Sequence, residues 1–365
     1  MRRISHKGEL LAKEMNRRWI CMDVWMDIFP HFDHAQLGLK LALLSDRFDI
    51  LVDKHFDTKS ELTIWREITI REMGTKAKLC VWVGPKFVHF PLPDHSLPNK
   101  IRFENLWIEY IDHSVIKFLR ANQKIFDKGT NLDLYLHDNN NIVQPIWIVF
   151  AHEIWPIFAP NIRQLNFSNG GYLENLRRHT SPTILTDLIQ LISIHSDDLL
   201  PDSIADDGPK ATAGQALTKW LQMPTKDGQP KQLSCCGATS RTNEFVNNFK
   251  EAFLRATNSA VSYMIRIKLI GEHAKTEQVV GRDGGRRKSL TSATGDSYFP
   301  LIVYDSTPIA PFELTNERTN EMLTLVKEEG DHGNTDVVWL LKRCQIGKAI
   351  QWEGGNPSIL SNVNF

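Results

Sequence analysis

The sequence predicts an α+β protein: a small N-terminal helical unit, then a larger body of alternating strands and helices with antiparallel strands at its start and end. Three observations carry this. Apolar residues between Trp19 and Phe56 recur at helical spacing, runs after Leu62 alternate as strands do, and from Ile101 onward strand-like centres return at intervals of about thirty residues. A chain of 365 residues also exceeds the usual size of one hydrophobic core, which agrees with a small unit and a larger one.

The helical unit, residues 16–58, follows an N-terminal tail, 1–15. Its first helix is predicted from Met22 to Phe29 and stops at Pro30, whose missing amide and ring forbid continuation. Met22, Trp25, Ile28 and Phe29 form one stripe, widened by Val24 and Met26. Asp33 caps a second helix, with Gln36 three residues on and then the apolar run Leu37, Leu39, Leu41, Ala42, Leu43, Leu44. A third helix, Asp46 to His55, places Phe48, Leu51, Val52 and His55 on one side and Asp46, Asp49 and Asp53 toward water. Three short helices cannot cover this much apolar surface among themselves. Either the body covers the surplus, or the surplus is an exposed patch of the kind that binds another protein.

The order of features, DVWMDIF, a proline-containing break, then DHAQLGLKLALLSDRFDILV, resembles an F-box over residues 19–56, and is most similar to the F-box families expanded in nematodes. LPNKIRF, YIDHSVIKFLR, HTSPTIL, QALTKWL, PFELTNERTNE and WLLKRC resemble the body of those proteins. The resemblance implies a non-catalytic substrate receptor: the first two helices dock on a Skp-type adaptor, and through it on a cullin-RING (SCF-type) ubiquitin ligase. The body would select the protein substrate for ubiquitin-dependent degradation. By position, Ile20, Val24, Trp25, Ile28, Phe29, Leu37, Leu41 and Leu44 are then the adaptor-facing or interface-supporting set. F-boxes commonly open with Leu-Pro and an acidic residue, where this chain has Ile20, Cys21, Met22 and Asp23. The alternative is a free-standing protein–protein interaction scaffold whose divergent F-box no longer recruits the ligase.

The body is assigned to residues 59–348. LTIWREITI, KLCVWV and KFVHF, within 62–91, are predicted antiparallel strands closed by Pro91, Pro93 and Pro98. Strand centres follow near Leu106, Leu134, Leu165, Ile192, Leu233 and Ile265 within 100–270. They alternate with the helical stretches SVIKFLRANQKIF, QPIWIVFAHEIWPIF, ALTKWLQM and FVNNFKEAFLRA. The triplets Phe103/Leu106/Ile108, Ile162/Leu165/Phe167 and Ile189/Ile192/Ile194 share a spacing like that of leucine-rich repeats, which predicts an irregular β/α solenoid; an ordinary layered α/β domain fits the same alternation. DDLLPDSIADDGPKATAG reads as an exposed loop. Residues 271–297 are polar and basic and read as a flexible insert. Terminal strands are predicted within 298–345, before a tail, 349–365.

Forty-three basic and 43 acidic residues balance, so no global charge favours nucleic acid or an acidic membrane. No stretch reaches the roughly 20 apolar residues of a membrane span, and the N-terminus lacks the apolar core of a secretory signal; cytosol or nucleus is the expected compartment. Five cysteines show neither disulfide density nor zinc-site spacing and read as reduced, mostly buried thiols, with Cys235 and Cys236 on opposite faces of a strand. HEIWP has Pro156 where a zinc-binding HExxH needs its second histidine. GRDGGRR lacks the GK[ST] ending of a phosphate loop; Arg286, Arg287 and Ser289 there match a basic-directed phosphorylation site, a pattern common by chance. No nucleophile with a base partner stands out, so no catalytic residue, metal or cofactor is assigned. Among Trp107, Tyr110, Trp147, Trp155 and Trp220, large aromatics of the kind that anchor interfaces, most are expected in the core.

Overall fold

A computed structural model describes residues 20–58, 63–83, 86–93, 96–97, 101–126, 129–136, 146–167, 170–257, 262–270, 309–328 and 337–348. The protein is mixed α/β, and its chain divides into two compact units, Met1–Ile162 and Arg163–Phe365. The insert 271–297, with Arg286, Arg287 and Ser289, lies outside the described residues, as do both tails.

In the first unit, α1 (Met22–Ile28) passes into a single tight turn over Phe29–His31, since Pro30 has no amide to continue the helix. Asp33 accepts the Ala35 N–H at 2.8 Å and so caps α2, which runs from His34–Gln36 through a wide turn at Leu37–Leu41 to Ala42–Leu44. Helix α3, Asp46–Thr58, outlasts its predicted end by one turn and buries Leu51, Val52, His55 and Phe56.

The strands of this unit stand in the order β5-β4-β1-β2-β3. β1 (Thr63–Met73), β2 (Lys76–Val83) and β3 (Lys86–Pro91) are antiparallel, as predicted, with Ile68 opposite Val81 and Val81 opposite Val88. Gly74 makes the first turn at φ 73°, a backbone shape most side chains resist. β4 (Ile101–Ile108) pairs parallel with β1 and β5 (Thr130–Leu134) parallel with β4. Asp112 caps α4 (His113–Ala121) by accepting the Val115 N–H. Helix α5 runs through Ile146–Val149, Phe150–Ile154 and Trp155–Phe158 and widens just ahead of Pro156, where an amide is missing.

The second unit has the strand order β6-β7-β8-β9-β12-β11-β10. β6 (Ile162–Phe167), β7 (Ser193–Ser196), β8 (Lys231–Ala238) and β9 (Tyr263–Ile270) are parallel. β12 (Val338–Gln345), β11 (Glu321–Glu328) and β10 (Phe312–Asn316) complete it antiparallel, as the sequence predicts. Helices α6 (Gly170–His179), α7 (Ile184–Asp187), α8 (Ala213–Leu221) and α9 (Thr239–Arg255) connect the parallel strands.

One expectation needs correction, and another gains detail. The triplets Phe103/Leu106/Ile108 and Ile162/Leu165/Phe167 are buried throughout, but Ile189 is 67% exposed. It sits in the turn after α7, its N–H bonded to the Asp187 carbonyl, and the strand begins only at Ser193; Leu188 and Leu191 take the inward positions instead. The segment 197–214, expected to be an exposed loop, is a loop as far as Thr212 with several exposed residues, and it is also pinned to its surroundings. Arg177 on α6, itself buried, donates to the carbonyls of Pro182, Ala211 and Gly208 at 3.1, 2.6 and 3.1 Å. Thr218 donates to Asp202 O at 2.7 Å, and a reciprocal Thr212–Gln215 capping box opens α8.

Candidate functional site

Helix α1 divides its apolar residues between two directions. Trp25 packs edge-on against Phe48 of α3 at 4.9 Å between ring centroids, and Phe29 stands 5.5 Å from the His55 ring. Val24 and Ile28, four residues apart on another face, are exposed and half-buried respectively. On α2 the side toward the sheet is closed. Leu37, Leu39 and Ala42 are buried, and the Lys40 ammonium lies 5.6 Å from the centroid of Phe90 on β3.

The eight adaptor residues expected from the sequence therefore separate. Ile20, Val24 and Leu44 are exposed, at 45%, 44% and 65%; Trp25, Ile28 and Leu41 are half-buried; Phe29 and Leu37 are completely buried. The last two hold the helices together and present nothing to a partner. Three exposed residues outside that set, Met22, Phe32 and Ile50, extend the apolar surface. Of the thirteen exposed large hydrophobic residues among the described residues, six lie between Ile20 and Ile50. Surface apolar residues are ordinarily scattered, and six of the thirteen in so short a stretch of chain is a concentration.

The start of α1 is held without a proline. Arg47 on α3 donates to the Ile20 carbonyl at 2.8 Å, and Lys54 reaches Met22 Sδ at 3.6 Å. Cys21 precedes the helix in an extended conformation, φ −65° and ψ 159°, its φ being the one a proline ring would impose. Arg47 thus holds the segment just ahead of α1 from the neighbouring helix.

The chemistry weighed in the sequence resolves into packing. Glu153 of HEIWP pairs with Arg120, and His152 is exposed. Among the described residues no group of three or more His, Cys, Asp or Glu is arranged to hold a metal ion. Cys80 Sγ lies 3.1 Å from His89 Nδ1, a pair the sequence did not suggest; only the β2–β3 register, which sets the two residues opposite, reveals it. Burial pushes the Cys80 thiol up to about 11, so at neutral pH it is protonated, and the pair makes a cross-strand hydrogen bond. Cys235 and Cys236 are both buried, Cys235 reaching the Arg266 carbonyl and Cys236 lying 3.8 Å from Asp197 Oδ1. Trp147, Trp155 and Trp220 are core residues; Trp107 is half-buried and stacks on Tyr135, and Tyr110 is half-buried.

A concavity of about 520 Å³ in the second unit is lined by residues after β7, by Cys236 of β8, by the pinned loop, by Gly214 of α8 and by α9. Its lining includes Cys236, Phe245, Asp197, Asp198, Asp202 and Glu244. Crevices beyond the carboxyl ends of parallel strands are a recurrent place for ligands in α/β folds.

No protein-family model, curated protein or solved structure matches this chain. No helix among the described residues is long and apolar enough to cross a membrane.

Proposed function

We propose that the protein is a non-catalytic substrate receptor whose exposed helical face docks on a Skp-type adaptor, linking a bound target to a cullin-RING ubiquitin ligase. The observation that carries this is the cluster of exposed apolar side chains between Ile20 and Ile50, on helices whose inner faces are already filled by Phe29, Leu37, Leu39 and Phe56. The order of sequence features over the same residues, which resembles an F-box, supplies the identity of the occupant. The body, read as an irregular leucine-rich-repeat-like β/α array, would carry the target. Its contribution to transfer is proximity: a target held beside a charged conjugating enzyme reacts as if intramolecularly.

The alternative, a scaffold that no longer recruits the ligase, rests on the absent Leu-Pro. Arg47 and the extended Cys21 argue against it, because they order the start of α1 by other means. Co-purification with a recombinant Skp-type adaptor separates the two. The receptor reading predicts retention by the wild type and loss in Val24→Asp/Leu44→Asp, which alters exposed positions and leaves the helical core intact. A wild type that retains no adaptor supports the scaffold instead.

A further inference from the structure

The second unit buries a lysine that no acid answers. Lys231, the first residue of β8, is 4% exposed. Its side-chain nitrogen donates to the Trp220 carbonyl in the last turn of α8 and lies 4.7 Å from the centroid of the Trp220 ring. Among the described residues no carboxylate pairs with it. A helix C-terminus and an indole face both favour a cation, yet each by less than an unpaired buried charge costs. The more stable form at this position is the uncharged amine, and burial pushes Lys231 down from 10.5 to about 7.

The elements around Lys231 bring it no counter-charge. α8 carries Lys219, and the turn after it Lys226 and Asp227, all exposed. On β9, Tyr263 stands beside Lys231 on the same face, buried, with its phenol pushed up by that burial. Beside Tyr263 on β12 is Arg343, whose guanidinium holds the buried Glu321 carboxylate at 2.7 Å. That row therefore contains two basic side chains and one acid, and the acid is already paired. α9 turns Phe249 toward Tyr263 and Phe253 toward Arg343, while its Glu244, Glu251 and Arg255 are exposed and its Lys250 lies over Phe312 of β10. His195 of β7 and Arg266 of β9 flank Ser234, on the opposite face of the sheet.

We propose that Lys231 is a proton-operated latch: uncharged, it ties the last turn of α8 to β8, and once protonated it leaves for water and frees that turn. α8 also holds the pinned loop, since Gly214 O accepts the Asp202 N–H and Thr218 donates to the Asp202 carbonyl, so the loop loosens with it. The unfolded chain keeps the lysine proton up to about 10.5 and the folded one only to about 7, so stability rises with pH between those values. Below about 7 both states hold the proton and the full cost is present. Urea unfolding of the full-length wild type and of Lys231→Met, from pH 6 to pH 9, tests this. Over that range the unfolding constant should fall at least tenfold more in the wild type than in the variant. At pH 6, hydrogen exchange across 197–221 should be faster in the wild type than in Lys231→Met. A direct reading that needs no variant is the titration of the wild type labelled with 13C at the lysine Cε positions, where one resonance should titrate near pH 7. Parallel pH profiles, equal exchange in the two proteins, or lysine resonances that all titrate above pH 9 overturn the proposal.

Discussion

The helical unit and the pinned loop are surfaces of opposite character. Between Ile20 and Ile50 the chain leaves large apolar side chains in water, and its polar groups make both a local bond, the Asp33 cap, and a distant one, from Arg47 to the Ile20 carbonyl. Between Asp197 and Thr212 it leaves carboxylates in water, and its backbone is satisfied from afar by Arg177, 31 to 34 residues away in sequence where it meets Gly208 and Ala211. An apolar face costs solubility and is kept where something covers it. An ordered acidic loop costs conformational entropy and is kept where a fixed shape matters. The contrast teaches that exposure alone does not name a site; what matters is what the fold spends to maintain that exposure.

The sharpest way to break the comparison lies inside the helical unit, between the expected contact residues that are buried and those that are exposed. Phe29→Asp or Leu37→Asp places an unpaired carboxylate at a fully buried position and should cost about 3 kcal/mol or more, seen as loss of the cooperative thermal transition. Val24→Asp and Leu44→Asp should each change stability by less than about 0.5 kcal/mol. If the two pairs behaved alike, the division of α1 and α2 into inner and outer faces would be wrong.

In the loop, Arg177→Ala should cost roughly 2–3 kcal/mol, because three carbonyls lose a charged donor. Hydrogen exchange should accelerate across 197–212 with little change in β8. Gly214→Ala should cost about 1–2 kcal/mol by pushing the Leu200 carbonyl away, again opening the loop first. Smallest of all, Arg47→Ala removes one partly exposed bond to Ile20 O. It should leave the melting temperature nearly unchanged and still weaken adaptor retention several-fold, since it frees the start of α1.

The two regions were also unequally legible in sequence. Helical spacing, the Asp33 cap and the Pro30 stop announced α1 to α3, because those signals are local. The strands from Thr63 and the antiparallel end at Val338 were legible for the same reason, each being a run of alternating apolar residues. The separation of Phe29 and Leu37 from Val24 and Leu44 was not, since every one of them is apolar and only packing against Phe56, His55 and the sheet decides which turns inward. Ile189 misled because its spacing fits a repeat while the turn after α7 consumes two more residues before the strand. The loop DDLLPDSIADDGPKATAG reads as an exposed loop by composition, and nothing within it shows that Arg177 will pin it. Long-range bonds of this kind leave no periodic trace.

The central claim is that the outer face of α1 and α2 binds a Skp-type adaptor, and size-exclusion co-elution of the full-length chain with purified adaptor tests it most directly. The account predicts a stable one-to-one complex for the wild type and separate elution of the two proteins for a folded Val24→Asp/Leu44→Asp variant. Separate elution of the wild type, or a complex that the variant forms equally well, would contradict it.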